Sequence, residues 1–180
     1  MTVKQIYLAG GCFWGTEKFL SLLVGVESTE VGYANGNREQ VTYQEVCTGT
    51  TEHAEAVKVT YDPEVLPLKE LLETFLQTID PTIKNQQGND KGTQYRTGIY
   101  SLPEDYEEQK EVVAQVLQEE QKKYSSPVLV ENLTLANFCS AEEYHQKYLE
   151  KNPTGYCHLN FADLAQVLST QNKKSEQRVK

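Results

Sequence analysis

The chain has 180 residues, 38% of them hydrophobic and 24% charged, with a formal net charge of −9. That length suits one domain with a core of its own, and the balance excludes a disordered chain. The acidic charge argues against nucleic-acid binding, which calls for a basic patch, and no apolar run approaches the roughly 20 residues of a membrane span.

Residues 5–9, Gln5-Ile6-Tyr7-Leu8-Ala9, read as a buried strand, and 16–23 as an amphipathic helix. Residues 27–34 form a short strand that runs into the turn-rich Asn35-Gly36-Asn37-Arg38. A polar loop over 43–51 leads to the alternating strand 55–61, which Asp62-Pro63 stops. Leucines and Phe75 at helical spacing predict a helix over 67–79, followed by the glycine-containing loop 85–92 and a strand over 95–101. Pro103 opens a long helix with Val112, Val113, Val116 and Leu117 on one face. Residues 128–131 and 133–135 supply further strand, 141–150 a short helix, and Pro153-Thr154-Gly155 begins an irregular C-terminal segment whose basic end, Lys173 to Lys180, is expected to fray.

The order β-α-β-β-α-β-α-β-β-α predicts an α+β fold: a two-layer sandwich of helices on a mainly antiparallel or mixed sheet, with a ferredoxin-like, split β-α-β core. No linker or repeat divides the chain, so residues 1–180 are read as a single catalytic domain.

One motif concentrates the chemistry. Gly11-Cys12-Phe13-Trp14-Gly15 sits where the first strand turns into the first helix. Free backbone N–H groups and the positive end of the helix dipole favour a thiolate there, so Cys12 is expected to have a lowered pKa. Glycines on both sides allow close approach. The competing reading is a buried small hydrophobe.

Candidate partners lie in the loops. In His53-Ala54-Glu55, Glu55 stands at the mouth of an otherwise apolar strand, where burial would hold it protonated as a proton donor; an edge-strand surface glutamate is the alternative. Tyr43 and Tyr95 carry hydroxyl donors beside glycines, or simply pack. Asp90 is a binding candidate or a turn residue, and Phe13 and Trp14 are core or a box for a small sulfur-bearing group. The four cysteines, at 12, 47, 139 and 157, form no C-x-x-C, and no histidine lies at finger spacing, so no metal site is expected. A signal-peptide core is not apparent after Met1, and the expected location is the cytoplasm, where a transient catalytic disulfide is allowed. His53, His145 and His158 receive no catalytic role, His145 being read as a structural brace.

With these residues in view, the chain resembles the A-type peptide methionine sulfoxide reductases. The resemblance rests on Gly11–Gly15 and continues in order through 32–36, 43–49, 53–57, 61–63, 87–96 and 141–149, covering residues 4–157, with 158–180 as a tail. It implies that Cys12 attacks the sulfur of methionine S-sulfoxide, free or in proteins, and becomes a sulfenic acid. It implies that Glu55 protonates the sulfoxide oxygen, that Tyr43 and Tyr95 orient it, and that Asp90 helps fix the substrate. Phe13 and Trp14 match the rings that hold the S-methyl group. Cys157 matches a resolving cysteine, implying a Cys12–Cys157 disulfide recycled by thioredoxin or another external dithiol, with no bound cofactor. Cys47 and Cys139 compete for that role, Cys139 being read as buried and inert. A monomer without nucleic-acid or membrane partners is expected. A hydroperoxide reductase and a non-catalytic redox sensor are the other function classes considered.

Overall fold

A computed structural model describes residues 2–179. In chain order the elements are β1 (Lys4–Ala9), α1 (Phe13–Ser21), β2 (Val26–Ala34), α2 (Tyr43–Cys47), β3 (Ala54–Tyr61) and α3 (Leu68–Leu76). A small hairpin follows, β4 (Gln86–Gln87) with β5 (Asp90–Lys91), then β6 (Gly98–Ser101), α4 (Tyr106–Gln121), β7 (Glu131–Thr134), β8 (Phe138–Ser140), α5 (Tyr148–Lys151) and α6 (Phe161–Val179).

The main sheet runs β7-β6-β1-β3-β2-β8. Among the described residues, the β6–β7 pair of this sheet alone is parallel. β3 lies between the strands of β1-α1-β2, and β1 lies between those of β3-α3-β6, so the two β-α-β halves interleave in the split arrangement. Alternation sorts the side chains. Ile6 and Leu8 of β1 face the helices with Val57 and Val59 of β3, against Phe19, Leu72 and Phe75. Tyr7 and Ala9 point the other way, with Ala54 and Ala56, beneath Leu135 and Phe138. Completely burying one of these leucine or phenylalanine side chains is worth roughly 1.5–3 kcal/mol, so the centre of the sheet is the firmest place on which to mount a reactive group.

Several local expectations change. The loop expected at 43–51 contains α2, closed by a reciprocal Thr42–Glu45 capping box. The strand expected from Tyr95 begins at Gly98, because Thr93–Tyr95 is a 3-10 turn. Residues 128–135 yield one strand, β7, and β8 arises where Phe138 and Cys139 pair with β2. The helix expected over 141–150 is broken into the 3-10 turn Glu143–His145 and α5, with Lys147 left-handed at φ 53°. Long-range bonds hold that break: Glu17 Oε1 accepts the Lys147 N–H at 2.7 Å, and the Gln146 side chain bonds both backbone groups of Val31.

The C-terminal end corrects the expectation of fraying. Residues 153–160 are irregular, but α6 then runs for 19 residues with Leu164, Gln171 and Ser175 buried. The Asn172 side chain accepts from the Val24 N–H and donates to Leu22 O, while Arg178 donates twice to Glu70 of α3. The polar composition that suggested a loose end is used in these pairings.

Candidate active site

Gly11, at φ +80°, takes a left-handed conformation that turns β1 into α1. Cys12 occupies the N-cap position, and the Thr16 hydroxyl braces the turn by donating toward Gly10 O and Cys12 O. No Ser, Thr, Asp or Asn caps the helix. Glu55 of β3 does so instead: the Phe13 N–H donates to its Oε1 at 3.1 Å, satisfying one of the free donors of the first turn. Its other oxygen, Oε2, is buried without a partner.

The electrostatics are set by burial. Glu55 is 1% exposed, and desolvation pushes its carboxyl up to about 8, against the Phe13 N–H, with the Asp90 charge adding to the rise. The edge-strand surface alternative is therefore set aside. Cys12 departs from its expected lowering. Burial, followed by the Glu55 charge, holds the thiol well above its usual value, and only a hydrogen bond from the Trp14 backbone opposes them. The helix start does favour a thiolate, but removing it from water beside a carboxyl outweighs that.

Aromatic side chains line this turn. The buried Phe13 ring lies 5.7 Å from Tyr33 and 5.3 Å from His145. Trp14, half-buried, stacks on Tyr148 at 3.7 Å and 10°, and its indole N–H donates to His145 Nδ1 at 3.0 Å. With Nδ1 accepting, the proton of neutral His145 sits on Nε2, and burial lowers the residue's pKa. His145 is thus the brace that was expected. Glu142 joins the two sides by accepting from the Tyr33 hydroxyl at 2.8 Å and the Tyr43 N–H at 3.0 Å.

Tyr43 opens α2, and its ring packs 4.6 Å from that of His145. Tyr95 ends the 3-10 turn before β6. Burial and the nearby Glu55 charge raise the Tyr95 hydroxyl; burial, the Cys47 thiol and Glu55 raise that of Tyr43. Both therefore remain protonated donors around one carboxyl. Asp90, on the hairpin, accepts from the Tyr156 hydroxyl at 2.9 Å. The Cys157 thiol lies over α1, where a Cβ on Gly15 would come within 2.7 Å of its sulfur. Cys157 is among the groups whose charge reaches Cys12. Cys47 is exposed beside the Tyr43 hydroxyl, and Cys139 is buried with its thiol directed at Val41 O.

Phe13, Trp14, Tyr43, Glu55, Asp90, Tyr95 and Cys157 thus lie around the Cys12 turn, whereas Cys139 is directed at Val41 O and His53 bonds Arg38 O. Glu142, Tyr148 and Tyr156 were not singled out. An acidic residue that ties two tyrosines, and a tyrosine stacked on a tryptophan more than a hundred residues away, leave no local pattern. A surface concavity of about 580 Å³ between α3 and α4 is lined by Lys69, Glu73, Glu120 and Lys123 among others and contains no cysteine. Among the described residues, no three His, Cys, Asp or Glu side chains gather as a metal-ligand set, and no helix is long and apolar enough to cross a membrane.

Known proteins resemble this chain over most of its length. The sequence model of a family described as peptide methionine sulfoxide reductase matches residues 4–177, past the 157 at which the resemblance was expected to end. A peptide methionine sulfoxide reductase MsrA from Clostridium acetobutylicum is 52% identical over 157 residues, covering 87% of this chain and 95% of the relative. The crystal structure of reduced Mxr1 from Saccharomyces cerevisiae superposes with a TM-score of 0.82 at 39% identity, covering 88% of this chain and 91% of that one. A structure of Mxr1 in complex with Trx2 matches with a TM-score of 0.55 at 28% identity, covering 81% and 84%.

Proposed function

Because this chain belongs to the peptide methionine sulfoxide reductase family, we propose that the Cys12 cleft carries out a thiol-dependent reduction of methionine S-sulfoxide, free or in oxidised proteins, to methionine. One observation carries the assignment of roles: Glu55 is buried beside the Cys12 thiol, stays protonated up to about pH 8, and keeps one oxygen unpaired.

Sulfoxide oxygen leaves poorly unless it is protonated. Glu55 already uses Oε1 to cap α1, which leaves the unpartnered Oε2 free to carry a proton for the substrate. A protonated Glu55 also removes the negative charge that opposes ionisation of Cys12. The Trp14 N–H and the positive sulfur of a bound sulfoxide then favour the thiolate. Tyr43 and Tyr95 donate hydrogen bonds to the same oxygen, and Asp90 helps fix the substrate. Phe13 and Trp14 receive the methyl group; His145 and Tyr148 keep the indole in place.

The thiol and the sulfoxide give a Cys12 sulfenic acid and methionine, so the oxygen moves from one sulfur to the other. Cys157 then displaces water to form a Cys12–Cys157 disulfide, which an external dithiol reduces. Its place on the first turn of α1 supports Cys157 over Cys47 as the resolver, and the similar protein solved with Trx2 supports a thioredoxin as reductant. No resident cofactor is needed, since thiols supply both electrons. A disulfide that forms and is reduced in each cycle is compatible with a reducing cytoplasm, and the protein is read as a monomer with one catalytic domain over residues 1–180.

The test is to supply the separated S and R epimers of methionine sulfoxide with a dithiol and to measure methionine. Turnover of S alone, abolished in Cys12→Ser, is the expected result; turnover of neither epimer would defeat the proposal.

A further inference from the structure

The segment that carries Cys157 is laid across the start of α1 side chain by side chain. Gly155 packs on Tyr148, Cys157 lies over Gly15, and the His158 ring lies against Gly11. The Leu159 N–H donates to Cys157 Sγ at 3.3 Å. Gly11 and Gly15 are the glycines flanking the nucleophile, and a Cβ on either would meet this segment: 3.0 Å from His158 Nε2 at Gly11 and 2.7 Å from Cys157 Sγ at Gly15. The missing side chains therefore admit the chain that bears the second thiol. Positions 12 and 15 are neighbours on one helix face, so Cys157 rests one turn from Cys12.

Among the polar bonds of this segment, one reaches across to the far wall. Tyr156, 43% exposed, donates its hydroxyl to Asp90 Oδ2 at 2.9 Å, joining the residue before Cys157 to the β4–β5 hairpin. A hydrogen bond to a carboxylate is among the stronger kinds, and here it closes a segment that is otherwise irregular.

We propose that Tyr156 is a positioning residue for the recycling step: bonded to Asp90, it clamps residues 155–159 over the Cys12 turn and holds the Cys157 thiol in the seat left open by Gly15. This rests on the reading of Cys12 as the group that becomes a sulfenic acid. In the step concerned, the Cys157 sulfur bonds to the Cys12 sulfur, the Cys12 S–O bond breaks, and the hydroxyl leaves with the Cys157 thiol proton as water. Tyr156 takes no part in the bonds that form and break. It raises the local concentration of one thiol at the other.

The experiment separates the two steps. Without reductant, the unaltered protein and Tyr156→Phe are each mixed with methionine S-sulfoxide. The first equivalent of methionine and the loss of free thiols are followed in time, with dimedone present in a parallel sample to trap sulfenic acid. The Phe variant is expected to release methionine within about twofold of the unaltered rate but to form the disulfide at least about tenfold more slowly, the scale of one lost hydrogen bond to a charged group. Dimedone adduct on Cys12 should accumulate accordingly. Gly15→Ala, which fills the seat instead of loosening the clamp, should show the same delay, with the thermal midpoint of each variant checked.

Disulfide formation at the unaltered rate in both variants would overturn the proposal. So would a parallel slowing of both steps, which would make Tyr156 part of substrate binding or of the fold. A second arm oxidises Cys12 with hydrogen peroxide, which gives the sulfenic acid and water and bypasses the sulfoxide. If no methionine forms but the peroxide-driven disulfide is still delayed in Tyr156→Phe, the reductase assignment fails and the positioning role stands.

Discussion

Cys12 stands on a turn between β1 and α1, backed by strands whose central side chains are wholly buried, and with its helix capped from β3 by Glu55. Cys157 stands in the irregular stretch between α5 and α6, half-buried, held by a few bonds to the walls it crosses. The contrast suits the roles proposed for the two thiols. Attack on a sulfoxide needs an acid, a nucleophile and a methyl pocket fixed to within fractions of an ångström. Resolution needs a thiol that waits nearby, closes a short gap, and then exposes the disulfide to an outside reductant. α6 anchors the chain beyond this segment, through Asn172 and Arg178, and leaves the hold on the thiol itself to the bonds of residues 155–159.

The sharpest separation of these regions comes from deleting each sulfur. Cys12→Ser should abolish methionine formation. Cys157→Ser should still release about one equivalent per protein in the absence of reductant, then stall with thioredoxin as sole donor, as stopped assays with chromatographic detection of methionine would show. A Cys157→Ser protein that turned over normally with thioredoxin would erase the division of labour.

Next in size is Glu55→Gln. Losing a positioned acid costs about 10²- to 10⁴-fold in the single-turnover rate. In the unaltered protein that rate should fall as pH rises through about 8, where Glu55 gives up its proton. The stability effect has the opposite sign. Glu55 holds its proton to about 8 when folded, whereas an unfolded glutamate loses it near 4.3, so folding stability declines across that window as pH rises. Glu55→Gln escapes this decline and should be more stable than the unaltered protein at pH 9 by on the order of a few kcal/mol, with little difference at pH 4. Urea unfolding at the two pH values measures it.

The anchor is expected to matter less. Asn172→Ala removes both bonds to the end of α1 and should lower stability by about 1–2 kcal/mol, leaving the first equivalent of methionine untouched. A comparable slowing of that step would show that α6 supports the nucleophile as well as the resolver. The smallest effect belongs to Arg178→Ala, which breaks a surface pair with Glu70. The Arg178 hydrogen bond holds the Glu70 carboxyl below the usual glutamate range. The pair's contribution is therefore present above that range and lost as pH falls through it, and the thermal midpoint of the variant should converge on that of the unaltered protein in acid.

The amino-acid sequence by itself determined the order of the main elements, the split β-α-β core and the identity of the chemical groups. These depend on short-range signals: apolar periodicity, prolines just ahead of α3 and α4, and a thiol between glycines at a strand-to-helix junction. Glu55 was legible because an acid at the mouth of an apolar strand is locally anomalous. Tertiary structure alone decided the rest. The lowered thiol pKa expected from the helix start is reversed by burial and by a carboxyl 43 positions away in the chain, and desolvation is a property of the packed molecule. Residues 161–179 look like a polar tail until Leu22, Val24 and Glu70 supply their partners. Tyr148 and Tyr156 acquire meaning only beside Trp14 and Asp90. Local sequence encodes what a segment prefers, whereas the free energies of charges, stacked rings and long-range hydrogen bonds depend on which segments fold against one another.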